Sequence, residues 1–167
     1  PRSTQSALVA CPTFTDVTRF LKHIDGTLGG SLSAFELMWN EFYRMVTTPP
    51  SKGTPPLPQT YDYYVLVESA GGDPTRDQAQ FEEAIAAAIE AGLVVDAAVC
   101  SSEAQRDALW ALRDDVEGLF RLGMPVAFDV SLPLAEMEVY VTEVVGRLER
   151  EWPAYSRFVF GHLGDGN

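Results

Sequence analysis

The last residues of the sequence hold the densest set of groups that could do chemistry. An imidazole, a carboxylate and a carboxamide stand close together as His162, Asp165 and Asn167. Glycines separate them, and glycine lets a backbone turn sharply and approach a ligand closely. Such a loop can bind a metal ion or move a proton through its imidazole. Gly-Asp-Gly-Asn is also ordinary turn chemistry, and composition alone favours a turn.

Arg113 is the second candidate. Helical periodicity places it inside the apolar stripe of a predicted helix over 102–120. An unpaired buried guanidinium is costly, so Arg113 needs an anion. That anion is either a protein carboxylate, such as Glu36, Glu117 or Asp129, or a substrate carboxylate held by two parallel hydrogen bonds. The sequence leaves both alternatives open.

Three motifs in a fixed order suggest a family. Leu-Trp-x-x-Arg ends at Arg113, Asp-Val-Ser-Leu-Pro begins at Asp129, and Gly-His-Leu-Gly-Asp-Gly-Asn ends at Asn167. Together they resemble the C-terminal substrate (cap) domain of FAD-linked oxidases of the vanillyl-alcohol-oxidase superfamily. Within it, the chain is most similar to the D-2-hydroxyacid dehydrogenases, which oxidise D-lactate, glycolate or D-2-hydroxyglutarate. The resemblance spans the whole chain and is weakest before about residue 60.

This resemblance implies the substrate-binding part of an enzyme that oxidises a D-2-hydroxy acid to a 2-oxo acid by hydride transfer to FAD. Arg113 matches the arginine that binds the substrate carboxylate. His162 matches a histidine that binds a divalent metal, zinc or manganese-like, and it is the catalytic candidate. Asn167 could approach the flavin. The second histidine and the later glutamate of the family's metal site are not in this sequence, so the site is incomplete here.

One position departs from the D-2-hydroxyglutarate type that the resemblance implies: Ala127 stands where a lysine that helps to hold a second carboxylate is expected. Glu117, one helical turn after Arg113, would also repel a second carboxylate if it faced the pocket. Both weaken a dicarboxylate substrate and leave a smaller or different hydroxy acid open. Two other functions also stay open: a non-catalytic ferredoxin-like ligand-binding or interaction module, and a metal-independent phenol or alcohol oxidase cap of the same superfamily.

The elements that must position these residues alternate between strand and helix patterns. The order predicts an α+β fold with an antiparallel sheet, helices packed on one face, and two ferredoxin-like halves joined by the proline-rich segment 47–59. Glu36 falls among apolar neighbours on a predicted strand, where a structural arginine partner is favoured over a site. His23 is expected to have no ligand role. The predicted strands cover 6–10, 31–39, 61–68, 93–100, 126–132 and 156–160.

Size and charge limit the remaining possibilities. The 167 residues suit one domain, expected to be a piece of a longer flavoenzyme whose FAD-binding domain precedes it. The net charge of −12 opposes binding to nucleic acid or anionic lipid, and no apolar run is long enough to span a membrane. Cys11 and Cys100 are expected to be structural thiols of a cytoplasmic protein. The expected partners are a small anionic hydroxy acid and the chain's own FAD-binding domain, with a homodimer left open.

Overall fold

The computed structural model describes residues 2–165. This part of the chain has five strands and five α-helices, which alternate up to α4; α5 then follows before β5. Two short 3-10 helices, Asp115–Leu122 and Leu163–Asp165, follow α4 and β5. The elements are β1 (Ser3–Cys11), α1 (Phe14–Leu28), β2 (Leu32–Trp39), α2 (Asn40–Thr47), β3 (Tyr63–Gly71), α3 (Pro74–Glu90), β4 (Asp96–Val99), α4 (Glu103–Arg113), α5 (Leu134–Glu151) and β5 (Phe160–Gly161).

The strands form one antiparallel sheet in the order β4-β1-β3-β2-β5. Strands β1 to β4, with α1 and α3, make a single β-α-β, β-α-β unit of the ferredoxin-like kind. The predicted α+β class and antiparallel sheet are confirmed. The predicted pair of ferredoxin-like halves is replaced by this one unit, because the proline-rich segment lies inside it, between α2 and β3.

Helices cover both faces of the sheet, and not one face as expected. Successive residues of β1 belong to different cores: Val9 packs with α1 and α3, whereas Leu8 packs with α2 and α4. The physical reason is that the central strands are apolar on both sides, so each side needs a cover. The face covered by α2 and α4 is the one that carries the candidate site.

The proline-rich segment is fixed to α2. The Tyr43 hydroxyl donates to the carbonyl of Leu57 at 2.9 Å and accepts from the Leu57 amide at 3.1 Å. The side chain of Gln59 donates to Thr47 Oγ1 at 2.8 Å. Tyr43 itself is fully buried and stacks on Tyr64, with ring centroids 3.7 Å apart. These contacts make the segment part of the core on the face of the sheet that α2 and α4 cover.

The chain after α4 packs less closely than the rest. The predicted strand over 126–132 forms no regular element and pairs with no strand among residues 2–165. Its large apolar side chains are exposed, as Val126 and Phe128 show, and Met137 is the one buried residue of α5. The strand predicted over 156–160 is reduced to the two residues of β5. A period-2 pattern makes a strand only where a neighbour supplies the ladder hydrogen bonds.

Both cysteines are free thiols. Cys11 is buried in the core, and desolvation, with a smaller contribution from Asp16, raises its pKa to about 12. Cys100 is partly buried, and burial also raises its pKa. A raised pKa keeps a thiol protonated and unreactive at neutral pH. Within the described residues, none of the helices has the length and apolar character that crossing a bilayer requires.

Gly53 offers a test of how tightly the proline-rich segment packs. A methyl group added there would collide with the carbonyl oxygen of Val46 and with the side chain of Leu112. We expect Gly53→Ala to lower the free energy of unfolding by about 1–3 kcal/mol, because a backbone oxygen cannot move aside cheaply. Thermal or denaturant unfolding of the full-length protein measures this.

Gly72→Ala is the matched control for Gly53→Ala. An added methyl group at Gly72 meets no atom within 4 Å, so stability should change by less than about 0.5 kcal/mol. Equal stability of the two variants would show that the segment is not pressed against α2 and α4.

Candidate functional site

One buried carboxylate, that of Glu36, stands at the centre of the site. Glu36 lies in the middle of β2 and is 5% exposed. Its Oε2 accepts a hydrogen bond from Arg113 Nε at 2.9 Å. Its two oxygens lie 2.8 and 2.7 Å from His162 Nδ1. A single carboxylate therefore joins the two residues that the sequence marked as functional.

The sheet register explains how His162 reaches Glu36. β5 pairs with β2 so that Gly161 lies opposite Leu37 and Phe160 opposite Met38. Continuing this antiparallel register by one residue puts His162 across from Glu36, on the same face. Leu163, which follows, is 1% exposed in the core with α1 and α3, and this anchor fixes the start of the glycine loop.

Arg113 is the last residue of α4 and is held from several sides. The helix starts at Ser102, whose hydroxyl accepts from the Gln105 amide at 3.3 Å. The Arg113 guanidinium is 5.0 Å from the ring centroid of Phe160, a cation–π contact. Arg113 as a whole residue is 5% exposed, and a cation is favoured at the C-terminal end of a helix. Its orientation is therefore set before any ligand binds.

His162 is the accessible member of the group. Its side chain is 54% exposed, against 6% for the side chains of Glu36 and Arg113. A carboxylate accepts hydrogen bonds, so the contact with Glu36 assigns the proton to Nδ1. The neutral ring then has its lone pair on Nε2. Glu36 thereby fixes the tautomer that leaves Nε2 able to accept a proton or to bind a metal ion.

Arg113 and His162 both line a cavity of about 660 Å³. The other walls are residues 119, 122–130 and 132, one side of α5, residues 154–163, and Leu37 and Trp39 of β2. Apart from its charged members, the lining is largely apolar, for example Leu37, Val126 and Val141. A concave apolar site with a few converging polar groups is the usual form of a small-molecule site.

The structure unites Arg113 with His162 and leaves other candidates outside. Of the carboxylates considered for Arg113, the one found in contact is Glu36, which sequence analysis had favoured as a structural ion-pair member. His23 hydrogen-bonds to the carbonyl of Ala84 at 3.0 Å, which is a structural contact between α1 and α3. Asn167 lies outside the described residues. The role of Glu36 as a link to His162 was missed, since their pairing depends on the register of a two-residue strand.

The donor set around His162 does not by itself fit a metal ion. In residues 2–165 no three His, Cys, Asp or Glu side chains come close enough to form a metal site. Zinc and similar ions generally need three or four protein ligands. Within the described part of the chain, His162 could provide one of these ligands. Glu36, hydrogen-bonded to Nδ1 of His162, would then be the carboxylate that orients the ligating histidine.

Comparison with known proteins gives a match over the whole chain. The sequence profile described as "FAD linked oxidases, C-terminal domain" matches residues 1–167. The rat "D-2-hydroxyglutarate dehydrogenase, mitochondrial" is 33% identical over 174 residues, covering 100% of this chain and 31% of the relative. The bovine protein of the same name is 34% identical over 169 residues, covering 100% and 30%. That of Arabidopsis thaliana is 30% identical over 166 residues, covering 99% and 29%.

These relatives limit what can be said about activity, and they correct the expected localisation. The chain spans 29–31% of their length, so the activity of a whole protein is not read directly from this chain. The prediction of a cytoplasmic protein is wrong, because the rat, bovine and Arabidopsis relatives are all named as mitochondrial proteins. That prediction rested on two free cysteines, and reduced thiols do not distinguish one reducing compartment from another.

The shared carboxylate predicts unequal effects on stability. Glu36→Ala leaves the guanidinium of Arg113 buried without its anion, and we expect a loss of about 3–5 kcal/mol in the free energy of unfolding. His162→Ala removes a largely exposed side chain and should cost about 1 kcal/mol or less. Denaturant unfolding of the two variants in the full-length protein makes the comparison. Equal losses of stability would mean that the guanidinium of Arg113 does not need the Glu36 carboxylate to stay buried.

Proposed function

We propose, because this chain belongs to the C-terminal domain family of the FAD linked oxidases, that it forms the substrate-binding part of an FAD-dependent dehydrogenase acting on a D-2-hydroxy acid. The observation that carries the proposal is the convergence of Arg113 and His162 on Glu36 at the polar part of one cavity. The names of the relatives, D-2-hydroxyglutarate dehydrogenases, agree with this class of substrate.

Arg113 would bind the substrate carboxylate with its terminal nitrogens. Within residues 2–165 the guanidinium hydrogen-bonds through Nε, to Glu36. Arg113 also lines the cavity, so its terminal nitrogens are the groups proposed to meet the substrate. Those nitrogens can offer two parallel hydrogen bonds to a carboxylate. Because Glu36 and Phe160 already hold the guanidinium, little conformational entropy is lost on binding.

His162 would handle the hydroxyl proton. Oxidation of a 2-hydroxy acid removes a hydride from the carbon and a proton from the oxygen, which leaves the carbonyl of a 2-oxo acid. Nε2 of His162 accepts that proton, and the Glu36 carboxylate stabilises the resulting imidazolium through Nδ1. When bound, FAD supplies the acceptor for the hydride.

The flavin would be held mainly outside this chain. The sequence contains no G-x-G-x-x-G after a strand, which is the usual dinucleotide-binding pattern. We assign FAD binding to a separate domain of the full-length protein, which is this chain's principal partner. Asn167 remains a proposed contact to the flavin. A homodimer also remains a proposal.

A divalent metal at His162 is a separate proposal. Nε2 suits zinc or a manganese-like ion, but the remaining ligands would have to come from residues other than those described. Nε2 cannot accept a proton and bind a metal at the same time. Activity that survives removal of metal by a chelator therefore favours the proton-accepting role, and activity that is lost and is restored by zinc or manganese favours the ligand role.

The direct test of the function uses the full-length, FAD-loaded protein without oxygen. We expect D-2-hydroxy acids, with D-lactate as the first probe, to bleach the yellow flavin absorbance, and L-lactate to leave it unchanged. The corresponding 2-oxo acid should appear in equal amount. A protein that binds FAD but is reduced by neither enantiomer of any 2-hydroxy acid would contradict the proposal and favour a cap for another alcohol or phenol.

Arg113→Ala tests the binding role. Loss of the charged hydrogen bonds should raise KM, with kcat/KM falling by the equivalent of about 2–4 kcal/mol. Arg157→Ala is the matched control, because Arg157 lines the same cavity but contacts Glu149, at 2.7 Å, and not the Glu36 carboxylate that His162 shares. Steady-state kinetics on both variants, with thermal unfolding alongside, separate binding from folding. Normal KM with a lowered melting temperature would make Arg113 a purely structural partner of Glu36.

A further inference from the structure

We propose that the side chain of the substrate is apolar and uncharged, so that the site takes a 2-hydroxy monocarboxylate and discriminates against a dicarboxylate. This rests on the proposed function, which supplies the 2-hydroxy acid. It goes beyond that function because the rat, bovine and Arabidopsis relatives are named for D-2-hydroxyglutarate, which has two carboxylates. Three observations on the cavity carry it.

The positive charge at the polar part of the cavity is enough to balance at most one substrate carboxylate. Arg113 contributes one positive charge and Glu36 one negative charge, and the two are in direct contact at 2.9 Å. With a doubly protonated His162 the group carries a net charge of +1, and with a neutral ring it carries none. In either state one substrate carboxylate is the most that the group can balance.

The other charged lining residues do not supply a second positive charge. Arg157 lies 2.7 Å from Glu149 and 3.8 Å from Glu41, so these three groups together carry a net charge of −1. Asp129 adds a negative charge to the lining. Among the lining residues that the structure describes, the remainder are uncharged. A second carboxylate there would lose its hydration and meet a like charge, and both changes are unfavourable.

The rest of the wall suits a hydrocarbon chain. Val126 and Phe128, from the segment that precedes α5, line the same cavity as Val141 and Val144 of α5. Val126 and Phe128 are 64% and 69% exposed, so they have apolar surface still to bury. A branched or straight aliphatic side chain would cover this surface and gain the hydrophobic free energy of its removal from water.

The sharpest test compares two substrates of the same shape. D-2-hydroxyglutarate and D-2-hydroxy-5-methylhexanoate differ in that two methyl groups replace the two oxygens of the distal carboxylate. With the full-length, FAD-loaded protein, we expect kcat/KM to favour the methyl compound by about a hundredfold or more. D-2-hydroxyglutaramate, whose distal group is polar but neutral, should fall between them.

A lysine at position 127 tests the same idea from the side of the protein. Ala127 lines the cavity and is exposed, so a longer side chain can be accommodated. We expect Ala127→Lys to raise kcat/KM for D-2-hydroxyglutarate, relative to the methyl compound, by about tenfold or more. Ala104→Lys adds the same charge at an exposed position of α4 away from the cavity, and should leave the ratio unchanged.

The outcomes separate the two proposals. A wild-type preference for D-2-hydroxyglutarate, or equal use of the two matched substrates, overturns this inference and leaves the proposed function intact. Oxidation of D-lactate but of neither matched substrate also overturns it, because the cavity then does not accept the side chain. Reduction of the bound flavin by none of these acids overturns the proposed function and this inference together. If Ala127→Lys fails to fold, the wild-type substrate ratio still decides.

Discussion

The structure depends on one buried carboxylate, that of Glu36, which accepts hydrogen bonds from both Arg113 and His162. Glu36 would be strongly destabilising if it stood alone inside the protein, and so would Arg113. Their contact removes both penalties, and the second carboxylate oxygen remains available to His162. The sheet supplies Glu36, α4 supplies Arg113, and the edge strand β5 supplies His162. The site therefore forms only when the helix, the sheet and its edge have all assembled.

The same contacts hold Arg113 rigid and leave His162 exposed. Arg113 is rigid because its Nε is hydrogen-bonded to Glu36 and its plane lies over Phe160, which in turn stacks on Phe42 with centroids 4.2 Å apart. His162 is exposed and shares the carboxylate from the other side. One member is fixed to recognise an anion and the other is accessible for proton transfer. A rigid supporting layer of this kind is what a binding site on a folded scaffold requires.

Much of this fold could be predicted from sequence, and the reasons for the misses are specific. Helix caps and apolar periodicity located α1, α3 and α4, and the placement of Arg113 in an apolar stripe correctly required an anionic partner. The sequence could not choose between Glu36 and a substrate, because 77 positions separate Arg113 from Glu36. The pattern over 126–132 predicted a strand, but a strand also needs a neighbour, which local sequence does not specify. The cover on both faces of the sheet, by contrast, was open to prediction, because the central strands carry apolar residues on both sides.

The cavity lies partly in the folded core and partly against loosely packed segments, and this affects which substitutions proteins with this fold can tolerate. Its polar end is part of the folded core, whereas much of its apolar wall, between residues 119 and 132 and along α5, contributes few buried side chains. Replacing a residue of that wall changes the shape of the cavity that a ligand meets but changes the free energy of folding very little. Chemical selectivity can therefore diverge among descendants of a common ancestor without loss of the reactive centre.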